Sequence, residues 1–94
     1  MRKSEIVSRI AEATGLTKVK AEEAVDAILE QVKEELRRGE PVILRRFGSF
    51  EVRQKRARVG RNPRTGEEAA IPARRVVRFK SGKHFRDAVN TEPS

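Results

Sequence analysis

Cysteine, tryptophan and tyrosine are absent from this 94-residue chain, and histidine and methionine occur once each. Without thiols, neither disulfides nor thiolate metal ligands are available. His84 has no second histidine and no carboxylate at metal-ligand spacing, so no metal site is expected. Its place in the first turn of the last expected helix fits a surface contact or no role at all. No apolar run approaches the length of a membrane span or a signal-peptide core. The expectation is a soluble, cytoplasmic protein with no membrane partner. Gly60 and Gly66 suggest a phosphate loop, but no Gly-Lys-Ser/Thr follows and no strand-to-helix setting surrounds them. No nucleophile is paired with a base. An enzyme is therefore not expected, nor a cofactor, nor a small-molecule substrate.

What is abundant is positive charge. The formal net charge is +8, and it is unevenly placed. Residues 1–40 carry eight Lys or Arg against nine Asp or Glu, whereas residues 41–94 carry fourteen against five. Cations confined to one half are the footprint of a polyanion binder rather than of a merely solvated face. Leu, Ile, Val and Phe make up 23 of the 94 residues, about a quarter, which lies above the level of roughly one fifth where disorder becomes the default. The chain should fold as one domain. At this length only about 60–65% of the unfolded surface is buried, so a core shared with a second subunit is the natural remedy.

An α+β order is expected: a helix pair, a three-stranded antiparallel sheet with a long protruding ribbon, and a short last helix. The first helix spans 3–14, with Ile6, Val7 and Ile10 as its apolar stripe, Ser4 as candidate cap and Gly15 as its stop. Thr17 caps a second, running to about Arg38. There Ala21, Ala24, Val25, Ile28, Leu29, Val32 and Leu36 recur at helical spacing, opposite a face of Glu and Asp. That stripe exceeds what one short helix can cover, which again argues for a second subunit.

Pro41 opens a strand, Val42–Leu44, and a turn at Phe47–Gly48 leads to a second, from Ser49 to about Arg56. Two cationic runs, 52–59 and 71–79, flank turn punctuation at 59–66 and read as a hairpin. It is too basic near its tip to fold onto a core, so it projects. Phe47, Phe50 and Phe79 sit among Val and Ile at period-2 spacing and are read as core, against the alternative of base-stacking platforms. The last helix runs from Lys83 to about Asn90, with Phe85, Ala88 and Val89 facing inward, and 91–94 is expected to fray. Pro63, between Arg61 and Arg64, is either a simple turn proline or a small apolar wedge at the end of a cationic arm.

Phe47-x-x-Phe50, the basic Lys55 and Arg58, and Gly60–Arg61–Asn62–Pro63–Arg64–Thr65–Gly66 together resemble the signature of the bacterial HU/IHF family of DNA-bending proteins. The likeness extends from Arg2–Lys3–Ser4–Glu5 to Arg86–Asp87–Ala88–Val89–Asn90. This family is itself a type case of the minor-groove wedge, so that mechanism is carried over by resemblance. The resemblance implies an intertwined dimer whose two arms wrap double-stranded DNA, with bent or nicked duplex preferred and Pro63 as the kinking wedge. Arg53, Lys55, Arg56, Arg58, Arg61, Asn62 and Arg64 match arm contacts, and Arg74 and Arg75 join them from the far strand. Lys3, Arg45, Arg46, Arg78, Lys80, Lys83 and Arg86 fall where the body meets flanking phosphates. The dimer core is expected from Val25, Ile28, Leu29, Val32 and Leu36 with Leu44, Phe47, Phe50, Val77 and Phe79. Within the single domain, 1–40 is the dimerisation base, 41–56 and 73–94 the saddle and last helix, and 57–72 the arm.

Two departures bear on which branch this is. Arg46 stands where the family usually has Gly, suggesting an extra phosphate contact or an altered approach of backbone to DNA. The stretch Ala73–Phe79 resembles the sequence-specific IHF α subunit, whereas Glu67–Glu68 and Asp87–Asn90 resemble HU. A base-reading IHF subunit has an acidic residue two before its saddle arginine, where Ile43 stands here. The expectation is a weakly selective, nucleoid-associated HU-like homodimer that bends and compacts DNA. An IHF-like subunit, heterodimeric with a paralogue, is the alternative. An RNA-binding or ribosome-assembly protein is the alternative of another class, and a membrane-surface polyanion binder ranks last.

Overall fold

The computed structural model describes residues 1–92; Pro93 and Ser94, part of the stretch expected to fray, lie outside them. The chain divides into two compact units, Met1–Glu35 and the part from Leu36 onward.

In the first unit, helix α1 is Lys3–Thr14, and α2, Lys18–Arg37, begins there. The N-cap of α1 is Arg2, and no side chain caps it. Ser4 is not the cap: it already lies inside the first turn, where its backbone is helical. The Arg2 carbonyl instead accepts from the Glu5 and Ile6 amides at 3.0 and 3.1 Å. Glu5 complements the dipole there. Gly15 ends α1 in the left-handed region and donates to the Ala11 carbonyl at 2.9 Å. Thr17 does cap α2, its hydroxyl accepting from the Lys20 amide at 3.2 Å. Val7 and Ala21 are buried in this unit.

In the second unit, β1 (Val42–Leu44), β2 (Gly48–Lys55) and β5 (Arg74–Ser81) form an antiparallel sheet in the order β1-β2-β5. Strands β3 (Arg58–Arg61) and β4 (Glu68–Ile71) form a separate two-stranded ribbon. The last helix, α3, is Lys83–Val89. The ribbon bears out the expected hairpin, with a break in its ladder. Its strands stop at Lys55 and Arg74 and resume at Arg58 and Ile71, and Pro72 in that gap has no N–H to continue a ladder. Val59 belongs to a strand, paired with Ala70, so the tip loop is 62–67 rather than 59–66.

The β1–β2 turn is also shifted. Phe47 donates to the Leu44 carbonyl at 3.0 Å, which places Arg45 and Arg46 at the centre of the turn and Gly48 inside β2. A Cβ at Gly48 would stand 2.5 Å from the Lys80 carbonyl oxygen and 2.7 Å from the Phe79 ring. A glycine is required there because β5 passes too close for any side chain.

Phe47, Phe50, Phe79 and Phe85 form one aromatic cluster, with ring centroids 4.9–5.8 Å apart in tilted or edge-on pairs. It is a core cluster with one side uncovered, since Phe47 and Phe79 each remain 42% exposed. Only Val7, Ala21 and Leu36 are buried apolar residues among those described. Ile28, Leu29, Val77 and Val89 are all more than half exposed. Val89 and Ala88 therefore do not face inward within this chain, and of that helix's apolar residues only Phe85 is partly covered. These apolar side chains are left uncovered by the described residues.

Candidate nucleic-acid interface

Antiparallel partners share a face of the sheet, and successive residues alternate between faces. The register pairs Ser49 with Lys80, Glu51 with Arg78, Arg53 with Val76 and Lys55 with Arg74. Ile43, opposite Ser49, joins the same face. The other face carries Val42, Leu44, Phe50, Val52, Val77 and Phe79. Burial of the aromatic side thus pushes five cations onto a single surface: Arg53, Lys55, Arg74, Arg78 and Lys80. Glu51 is the one carboxylate among them, 3.5 Å from Arg53. Lys55 and Arg74 stand directly opposite each other, a like-charge pairing that costs stability. A bound polyanion would relieve it.

The ribbon continues this charge outward. Arg58 pairs with Ile71 and Arg61 with Glu68, and these two pairs lie on opposite faces of the ribbon. Arg61 also forms an ion pair with Glu68 at 3.3 Å, exposed on both sides and hence worth little. Arg56 lies in the gap between sheet and ribbon. Among the described residues, Lys55, Arg56, Arg58, Arg64, Arg74, Arg78 and Lys80 have no carboxylate within ion-pair distance.

The tip is a closed, internally bonded loop. Asn62 donates to the Glu67 carbonyl at 2.8 Å, and Gly66 donates to the Asn62 carbonyl at 2.7 Å. The Asn62 side-chain oxygen accepts from the Arg64 amide at 2.9 Å, and the Thr65 hydroxyl from Glu67 at 3.2 Å. These are the local side-chain turns that Asn and Thr favour. Gly66, at φ 73°, supplies the left-handed residue that closes the loop. Pro63 is therefore exposed and fixed at the apex. Asn62, expected as a contact, is at least partly the brace that holds it.

Other expected contacts have internal roles as well. Arg75 is paired with Gln54 on the apolar side, away from Arg74. Its guanidinium donates to the Arg37 carbonyl at 2.6 Å, capping the end of α2. The structure thus takes Arg75 out of the cationic face, because period-2 alternation turns neighbouring arginines to opposite sides. Arg86 donates to the Ser81 carbonyl, and Lys83 pairs with Asp87 at 2.9 Å. Lys3 lies in the first unit, 2.6 Å from Asp26 and 3.9 Å from Glu22. Its hydrogen bond to Asp26 raises its pKa above the ordinary value of 10.5, against an opposing desolvation and with smaller contributions from the charges of Asp26 and Glu22.

Sequence reasoning missed three things: Ser49 and Ile43 on the cationic face, the capping role of Arg75, and the geometry of Arg46. The first two follow from register, which a single strand pattern does not fix. The third was visible only as a missing glycine. Arg46 has φ 71°, the one positive φ at a non-glycine residue among those described. The third position of a type II turn demands such an angle, and glycine normally supplies it. We expect Arg46→Gly to raise stability by about 0.5–1 kcal/mol, through relief of left-handed strain net of the unfolded-state entropy of glycine. Denaturant midpoints check this, and a lower midpoint would show that the Arg46 side chain outweighs the strain.

Comparison with known proteins agrees with this geometry. The family model described as "Bacterial DNA-binding protein" matches residues 1–90. The DNA-binding protein HU of Geobacillus stearothermophilus is 52% identical over 89 residues, covering 95% of this chain and 99% of that one. The DNA-binding protein HRL18 of Rhizobium leguminosarum is 52% identical over 91 residues, covering 97% and 100%. An Anabaena HU–DNA cocrystal structure superposes with a TM-score of 0.89 at 44% identity, covering 98% of this chain and all of that one. HU from Thermotoga maritima gives 0.70 at 31% identity, covering 96% and 100%. With the aromatic-backed saddle, the cationic ribbon and the proline tip all in place, the chain belongs to the bacterial DNA-binding protein family of HU and IHF.

Proposed function

We propose that this protein is an HU-like architectural factor, which as a dimer binds double-stranded DNA through the minor groove, bends it and compacts it. The observation that carries this reading is a predominantly cationic surface, with Glu51 the one carboxylate on its sheet face. It runs from Lys80 along the sheet to Arg74 and Lys55, then out along a ribbon that ends in a braced, exposed proline. Phosphates neutralise the flanks of this surface, and Pro63 enters a base step. Arg53, Lys55, Arg56, Arg58, Arg61, Asn62, Arg64 and Arg74 are the arm contacts in this reading. Arg45, Arg46, Arg78, Lys80, Lys83 and Arg86 meet flanking phosphates, and Lys3 does so once released from Asp26. The half-uncovered phenylalanine cluster and the exposed Ile28 and Leu29 supply the dimer core. The role is mechanical, with no chemical step, and its place is the nucleoid of the cytoplasm. No helix among the described residues is long and apolar enough to cross a membrane.

Ile43, exposed on the cationic face, supports low selectivity, because an apolar side chain two before Arg45 can accept no hydrogen bond from it. Each neutralised phosphate contributes about −0.9 to the slope of log affinity against log salt. With two arms engaged, affinity should fall by roughly 10³-fold or more between about 50 and 200 mM salt. Fluorescence anisotropy on a duplex of arbitrary sequence measures this. A flat response, or tighter binding to structured RNA than to duplex DNA, would refute the reading.

A further inference from the structure

Arg46 and His84 are 38 residues apart in sequence, yet Arg46 Nη2 lies 3.0 Å from His84 Nε2. A guanidinium can only donate, so Nε2 must hold a lone pair, and the imidazole in this contact is neutral with its proton on Nδ1. Arg46 also lines an open groove of about 430 Å³ with Arg45, Lys80, Lys83 and Arg86, in which Glu51 is the only acidic lining residue. The other carboxylate close in sequence, Asp87 on α3, is held by Lys83 at 2.9 Å. The groove therefore has the charge to seat an oxyanion, with Arg45 and Lys80 in it while Lys83 is paired with Asp87, Arg86 donates to the Ser81 carbonyl and Arg46 is held by His84.

We infer that Arg46 and His84 form a proton-coupled phosphate seat on the flank of the body, filled by the backbone of DNA that runs past the arms. A proton taken from solvent onto Nε2 removes the acceptor, releases Arg46 and turns His84 into a second donor toward the same phosphate. The phosphate in turn favours the protonated imidazole, since each stabilises the other by the same amount. His84 is the only histidine in the chain, so a proton exchanged at this contact has a single imidazole to account for it. This assignment rests on the DNA-binding reading above and adds to it a specific seat, a coupled proton and a pH response.

The test compares the full-length protein with His84→Gln, which keeps a neutral acceptor for Arg46 but takes up no proton. Affinity is measured from about pH 8 to about pH 6 on a long duplex extending past the arms and on one trimmed to the arm-covered centre. One coupled proton per seat gives at most about tenfold per pH unit. The expected result is roughly three- to tenfold tighter binding of the long duplex at the lower pH, a flatter profile for His84→Gln, and a flatter profile for the trimmed duplex. Calorimetry in two buffers of different ionisation heat should register proton uptake on the long duplex only. Equal pH slopes for the two proteins would overturn the coupled proton. Equal slopes on the two duplexes would overturn the flank as its place. Failure to bind any duplex at any pH would instead refute the DNA-binding reading, and this seat with it.

Discussion

Replacement of Pro63 by alanine is expected to lower the bend in bound DNA substantially while changing affinity little. The wedge unstacks a base step, which costs a few kcal/mol, and the bend then lets the flanking cations reach more phosphate. Alanine removes the ring, so the complex loses the unstacking cost together with the wedge contact and the extra phosphate contacts that the bend brings within reach. These terms largely cancel in affinity, and we expect a net change of about 1 kcal/mol or less. They do not cancel in geometry, because nothing else apolar stands at the tip. Asn62 and Thr65 still brace the loop through their own turns, so the variant should present a blunt tip on an intact ribbon. Ring-closure rates of short DNA fragments read the bend, and anisotropy reads the affinity. An unchanged bend would remove the wedge role from Pro63. A collapse of affinity with an unchanged bend in the residual complex would make Pro63 a contact rather than a wedge.

The second large effect is expected from Ile28→Glu combined with Leu29→Glu. These side chains are 62% and 55% exposed in the single chain, yet they continue the stripe that contains Val25, Val32 and Leu36. Full burial of an Ile or Leu side chain contributes about 1.5–3 kcal/mol, and each is present twice in a dimer. A carboxylate forced into the same seam has no partner and would not enter it. The unsubstituted protein should therefore melt at a temperature that rises with protein concentration, as for any fold that is completed by association. The double variant should sediment as a monomer and lose most of its helical signal at micromolar concentration. A folded, monomeric double variant would show that one chain is sufficient, contrary to the thin core of three buried apolar residues among those described.

Local signals in the sequence were read correctly where the physics is local. Thr17 and Gly15 bound their helices because a cap or a left-handed stop depends on neighbours only a few residues away. The sheet strands were legible because Phe50 and Val52 alternate with Glu51 and Arg53. Strand β4 was not, since Glu68–Ala69–Ala70–Ile71 has weak strand propensity and is held by its partner rather than by its own side chains. The role of Arg75 could not be read either. Its direction is set by the pairing of Gln54 with Arg75, a long-range register that also fixes which arginines share the cationic face. Ser4 failed as a cap because the helix begins at Lys3, as its spacing predicts, which leaves Ser4 inside the first turn and Arg2 at the cap position. The contact between Arg46 and His84 was out of reach altogether, because it joins a turn and a helix that meet only once the sheet has formed.

Of the proposed site, the motif from Gly60 to Gly66 carried most of the information, and the fold explains why. Asn62, Thr65 and Gly66 hold the loop and Pro63 occupies its apex, so four of the seven residues of the motif have separate mechanical tasks. The surrounding cations are more interchangeable: their number and their common face matter more than their individual positions.

The most direct test of the account is the end-to-end distance of bound DNA, measured by energy transfer on several duplexes of unrelated sequence. The account predicts a shorter distance on every duplex when protein is added, with a larger effect on nicked or flexible ones. An unchanged distance despite binding would contradict bending, and shortening confined to a single sequence would contradict a factor that reads deformability rather than bases.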